Sequence, residues 1–208
     1  QLGTNGERLQ QFIRQLAELI TRVGHSSYQP TIHLDAAGSL GQLFDNDAGR
    51  VLGALYGLEQ AAKPYQLRVV DPVLLDAQEA QIELMCQLME YVRMRRMNVQ
   101  LAASTGINSL ADVEAFVQAE AVHLLTLSMP DLGSIHQVIE AIMICQKGKT
   151  ATSTTNILLE GPAETAVHVA LAAQPDLLAA SAGPHGRRAL STVHDEMTRT
   201  LVWLTAKT

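Results

Sequence analysis

Residues able to do chemistry are sparse in this 208-residue chain, and they gather where short apolar runs end. His33 and Asp35 stand two apart, which on a strand puts both side chains on one face. A carboxylate at a strand end can hold a hard cation such as Mg2+, or it can cap the turn that follows. Asp71 lies just before Pro72, out of parity with the apolar positions around it, as a turn residue would. The other run ends carry hydroxyls in place of acids and bases: Ser104 and Thr105, then Ser128, then Ser153, Thr154, Thr155 and Asn156. Ser128 has no obvious base beside it to make it a nucleophile. The last run end reads Ser181-Ala182-Gly183-Pro184-His185-Gly186-Arg187-Arg188. A glycine-rich turn that feeds a helix start with arginines suits a small anion, or it is an ordinary turn.

The remaining histidines (His25, His123, His136, His168 and His194) fall at no metal-ligand spacing. Met85, Met89, Met94 and Met97 follow a helical stripe and read as packing residues. Arg93, Arg95 and Arg96 suit the solvated last turn of a helix. Cys86 and Cys145 sit inside helical patterns and match no metal or redox spacing, so a reduced, cytoplasmic setting is expected.

These positions need elements to hold them. Thr4 and Glu7 have capping-box spacing, and Leu9, Phe12, Ile13, Leu16, Ile20 and Val23 follow at helical intervals. Thr31–Asp35 reads as a strand. Asp47 to Ala61 reads as a helix with Val51, Leu52, Leu55 and Tyr56 inward. Gln66–Val70 is the next strand, after a break at Lys63-Pro64. Asp76 with Glu79 predicts the start of a long helix with Ile82, Met85, Cys86, Met89 and Val92 inward. Val99 to Ser104 is a strand, and Ser109 with Asp112 opens a helix carrying Val113, Phe116 and Val117. His123 to Ser128 is a strand. Asp131 to Gln146 is a helix with Ile135, Val138, Ile139, Ile142 and Met143 inward. Ala151 to Thr155 is a weak strand, Pro162 to Ala173 a helix, Leu177 to Ser181 a strand and Arg188 to Ala206 the last helix.

Six strands alternating with helices predict parallel α/β architecture, either an open doubly wound sheet or part of a (β/α)8 barrel. A whole barrel has eight units and about 250 residues. A six-strand barrel has two open edges that invite association. Residues 1–208 are read as a single domain. Twenty-one acids against 15 bases, a net charge of −6, leave no basic footprint for nucleic acid. No apolar run approaches the roughly 18 residues of a membrane span.

Several segments resemble methylaspartate ammonia-lyase, a family of the enolase superfamily. They are Leu2-Gly3 with Gly6-Glu7, Thr31–Asp35 with Gly38 and Gly41, and Met129-Pro130-Asp131-Leu132-Gly133 with Ile135-His136. Val167–Ala173 and Glu196-Met197-Thr198-Arg199-Thr200 complete the set, collinear over essentially the whole chain. The resemblance implies an incomplete enolase-type TIM barrel, six parallel β/α units, with the first two strands and a small N-terminal domain lying before Gln1. It implies Mg2+-dependent chemistry in which a Lys base removes the proton next to a carboxylate and ammonia leaves to give mesaconate, with a His on the other face.

Carried over position by position, the family's three metal carboxylates fall on Asp35, Val70 and Ser104. Its Lys base falls on Ser128, the Gln two residues earlier on Thr126, and a late Lys on Ser181. Its substrate-contacting Thr-Cys pair falls near Asn156-Ile157. No catalytic set is intact. Asp35 is the one candidate metal ligand; His33, Ser104, Ser128, Ser153, Asn156, Ser181 and Arg187 are the candidate pocket residues. The chain alone then needs no cofactor, and Mg2+ binds only if a partner supplies ligands. The leading expectation is a lyase-like barrel subunit that completes a complex with a second chain or by self-association. The alternatives are a carbon–nitrogen lyase or another enzyme of altered chemistry on a small amino or carboxylic acid, and a small-anion-binding regulatory module on the Gly183–Arg188 turn.

Overall fold

A computed structural model describes residues 3, 6–25, 27–155, 169, 173–178, 191–192, 194–196, 198–200, 202–203 and 206. It divides into two compact units: Gln1–Thr105 with Ala119–His123, and Gly106–Gln118 with Leu124–Thr208.

In the first unit the order is α1 (Glu7–Val23), β1 (Thr31–Asp35), α2 (Ser39–Leu43), α3 (Ala48–Ala62), β2 (Gln66–Val70), α4 (Gln78–Met94) and β3 (Val99–Ala103). The three strands are parallel, with β2 in the middle. Leu67, Val69, Val99 and Leu101 are buried on the face that α3 covers. The opposite face carries a polar row: His33 is in register with Arg68, and Arg68 with Gln100. Arg68 donates to Gln100 Oε1 through Nε at 2.9 Å and Nη2 at 2.7 Å. One step along, Asp35 is in register with Val70 and Val70 with Ala102.

The strand boundaries expected for β1 and β2 match, and β3 ends at Ala103. Several helix details differ. Gly6, at φ 77°, is the residue that caps α1, and Thr4 of the expected capping box lies outside the described residues. Ala77 precedes α4, and Asp76 does not cap it; the start of this helix is held instead by Gln81, buried and bonded to the preceding loop. Asp47 does cap α3, accepting from Arg50 N at 2.7 Å. Tyr56 is exposed and Leu52 half-buried, because the buried stripe of α3 runs through Val51, Ala54, Leu55, Leu58, Ala61 and Ala62. In α4, Ile82 and Cys86 are half-buried, and Leu84 and Leu88 fill the core beside Met85, Met89 and Val92. The short helix α2 was not expected from periodicity, which five residues cannot display.

The second unit contains α5 (Leu110–Gln118), β4 (Leu124–Ser128), α6 (Met129–Leu132), α7 (Ile135–Lys147), β5 (Ala151–Thr155) and β6 (Leu177–Leu178). Its three strands are also parallel, with β5 in the middle. A reciprocal box opens α5: Asp112 N donates to Ser109 Oγ at 3.2 Å, and Asn108 N to Asp112 Oδ2 at 2.9 Å. The single helix expected over Asp131–Gln146 is two. Gly133, at φ 85°, ends α6, and Ser134 caps α7 by accepting from Gln137 N. That break turns the stripe, so Val138, Ala141, Ile142 and Cys145 are buried while Ile135 and Met143 are exposed. Most of the helix expected over 162–173 and the end of the strand expected over 177–181 lie outside the described residues.

Candidate functional site

In a parallel α/β fold, sites form at the C-terminal ends of the strands. In the first unit these ends bring Asp35, Val70, Asp71 and Ser104 together. β1 delivers Asp35 to the surface, where its Oδ1 accepts from Ala37 N at 3.0 Å. The carboxylate thus caps the turn at Ala37 and Gly38, whose φ angles are 44° and 75°. His33, two residues back on the same face, is exposed. Its pKa lies below the ordinary histidine value, chiefly through desolvation and then the Arg68 cation, with Asp35 pulling the other way.

Val70 is apolar and buried. Asp71 follows it at φ 45° and is 1% exposed. The positive φ turns its side chain away from the alternation of β2 and toward β3. Oδ1 accepts from Ser104 N at 2.9 Å and Thr105 N at 3.5 Å. Oδ2 accepts from Ser104 Oγ at 2.5 Å and Thr105 Oγ1 at 2.8 Å. The turn reading of Asp71 matches this backbone. Its partners could not be read in advance, because they lie 33 and 34 residues away.

In the second unit, β4 carries Thr126 and Ser128, and β5 carries Ser153 in register with Thr126. Ser128 is half-buried at the residue before α6, and its side chain makes no capping bond there. Thr126 is 8% exposed and Ser153 1% exposed, and neither hydroxyl has a hydrogen-bond partner among the described residues. Two adjacent buried hydroxyls without partners leave about 1–3 kcal/mol of desolvation cost each unreturned. Thr154 Oγ1 is likewise buried without a partner among the described residues. Asn156, Ser181, Arg187 and the Gly183–Arg188 turn lie outside the described residues.

The residues present do not fit a divalent cation. Of the three positions that the resemblance gives to metal carboxylates, one is apolar and one is a hydroxyl already donated to Asp71. A hard cation needs anionic oxygens in number, and Asp35 alone supplies them. Among the described residues, no group of three or more His, Cys, Asp or Glu is placed to hold a metal ion. No helix among them is long and apolar enough to cross a membrane.

Comparison with known proteins gives a consistent result. A family model described as the methylaspartate ammonia-lyase C-terminus matches residues 1–206. Methylaspartate ammonia-lyase 2 of Carboxydothermus hydrogenoformans is 33% identical over 206 residues, covering 98% of this chain and 49% of that protein. The Citrobacter amalonaticus enzyme is 31% identical, covering 99% and 51%. The crystal structure of that enzyme with (2S,3S)-3-methylaspartic acid superposes with a TM-score of 0.90 at 30% identity, over 98% of this chain and 50% of that one. The magnesium complex of β-methylaspartase from Clostridium tetanomorphum gives 0.89 at 27% identity. A muconate cycloisomerase at 14% identity and a TM-score of 0.54 shares the fold alone. The chain spans about half the length of the curated relatives it matches.

Proposed function

This chain belongs to the methylaspartate ammonia-lyase C-terminal family of the enolase superfamily, and from that premise we propose that it is a barrel subunit completed by a second polypeptide and lacking a catalytic set of its own. The observation that carries this reading is the set of substitutions at strand ends. Val70 and Ser104 stand at two of the three metal-carboxylate positions, and Ser128 stands at the lysine-base position. A serine hydroxyl stays protonated at neutral pH, so without a base beside it no alkoxide is present to take a proton.

Two features of the first unit support a partner. Among the described residues β1 pairs on one side, with β2, so its other edge offers backbone donors and acceptors to a further strand. Helix α1 packs on α3 through Ile13 and Ala17 but leaves Phe12, Leu19 and Val23 exposed. These three lie seven and four residues apart, one stripe of the helix. An open strand edge and an uncovered apolar helix stripe in one unit suit a strand-and-helix unit from another polypeptide. The test is the native mass of the protein as purified, with every chain identified. A co-purifying chain that supplies such units supports the reading. A folded species of about 22.5 kDa, the mass of one chain, overturns it.

The paired hydroxyls of Thr126 and Ser153 favour a second reading, an enzyme of altered chemistry on a small amino or carboxylic acid. Each hydroxyl can donate to a carboxylate that enters beside β4 and β5. Turnover or binding of an amino dicarboxylate by the assembled protein, weakened by Thr126→Val and Ser153→Ala, supports it. Unchanged behaviour in both variants counts against it.

A further inference from the structure

We propose that Asp71 takes the place of a divalent cation at the mouth of the first unit, tying three strand ends together without metal. This rests on the family reading above for the identity of positions 35, 70 and 104; the clamp itself rests on geometry. A cation held by strand-end carboxylates joins neighbouring strands through its ligands. Here one buried residue makes those joins. Asp71 N donates to Ala102 O at 2.9 Å, and Asp71 O accepts from Gly38 N at 2.7 Å. Its carboxylate takes the two N–H and two O–H donors of Ser104 and Thr105. The turn after β1, the end of β2 and the start of the loop after β3 therefore meet on Asp71.

The clamp and a cation exclude each other. Ser104, at a carboxylate position, spends its hydroxyl proton on Asp71 Oδ2. Drawing the Asp71 carboxylate onto an ion would strip it from Ser104 and Thr105 and break four hydrogen bonds at once. Val70 closes the middle position with an apolar side chain. Asp71 is thus a positioning residue that fixes the relative placement of Asp35 and Ser104, and the mouth of this unit carries hydroxyls beside one exposed carboxylate.

The experiment uses the protein as it purifies, alone or with a second chain. Its melting midpoint is measured in EDTA and in excess Mg2+, and free Mn2+ is followed by electron paramagnetic resonance as protein is added. The expected result is an unchanged midpoint and an unchanged free-Mn2+ signal, or Mn2+ binding that Asp35→Asn leaves intact and so lies elsewhere. Asp71→Asn is expected to melt several degrees lower, equally in EDTA and in Mg2+. Ser104→Ala, which removes a single donor, is expected to melt lower by a smaller amount and keeps the test available if Asp71→Asn does not fold. Mn2+ binding that is lost in Asp35→Asn overturns the proposal, as does a Ser104→Ala protein that melts like the parent. Neither outcome bears on whether a second chain is present, which the native mass reads separately.

Discussion

His123 and Leu101 close a ring of two hydrogen bonds: His123 N donates to Leu101 O at 2.9 Å, and Leu101 N donates to His123 Nδ1 at 3.0 Å. The imidazole thus serves the backbone of β3 as an acceptor, which requires an unprotonated Nδ1. Burial lowers its pKa, the Arg93 cation lowers it further, and Arg68 adds to the same effect.

The pH dependence follows from that geometry. With a folded pKa below the unfolded value of about 6.5, His123 stabilises the fold fully above pH ~6.5. That contribution is lost as pH falls from there through the folded pKa. His33, also lowered, acts in the same direction. Stability measured by urea unfolding is expected to rise with pH through this window. In His123→Phe the slope is expected to shrink and stability at pH 8 to drop by about 1–3 kcal/mol, since Leu101 N loses its acceptor. An unchanged slope would refute the assignment.

Gln81 holds the loop between β2 and α4. Its Nε2 donates to Val73 O at 2.9 Å, and its Oε1 accepts from Leu75 N at 2.9 Å, with the side chain buried. Gln81→Leu keeps most of the volume but leaves two backbone groups unpaired. A loss of about 2 kcal/mol in chemical denaturation is expected, against near-neutral effects for the exposed Gln87→Leu.

Gly38 is required twice over. It sits at φ 75°, and a Cβ there would meet the Leu74 side chain at 2.8 Å. Both the backbone conformation and the contact disfavour any other residue. Gly38→Ala is expected to cost about 1–3 kcal/mol, and Leu74→Ala in the same chain to recover part of the contact penalty, a double-mutant coupling readable by thermal melts.

The two cysteines differ in reactivity for a stated reason. Cys145 is fully buried, and burial with the nearby Asp176 pushes its thiol up to about 12. Cys86 is half-buried, also raised by desolvation, and donates to Ala119 O at 3.3 Å. The thiolate is the reactive form. With a thiol reagent near neutral pH, slow labelling of Cys86 and none of Cys145 is expected until the protein unfolds. Rapid labelling of both would contradict this burial.

Much of the architecture was legible in the chain because it is written in local period. The five-residue segments at 31–35 and 66–70, and the weaker one at 151–155, became strands with those boundaries, since residue preference and flanking breakers act within a few residues. The helix starts at Asp47 and Ser109 were legible for the same reason. Family membership was carried by short collinear segments, and the resemblance directs attention to positions 70, 104 and 128. Tertiary structure decided what those positions do. Asp71 and Ser104 are 33 residues apart, and nothing local in either marks the other as its partner. Their bond exists because parallel pairing of β2 with β3 brings the two strand ends together and a positive φ turns the carboxylate across. Thr126 and Ser153 meet only through the β4–β5 register. The orientation of α7 depended on Gly133 ending one helix before Ser134 began the next, and the exposed stripe of α1 on which neighbour its apolar face found. A sequence specifies which faces are apolar and where the chain turns; which polar groups satisfy one another is fixed by the packing of distant segments, because hydrogen bonds form across space and not along the chain.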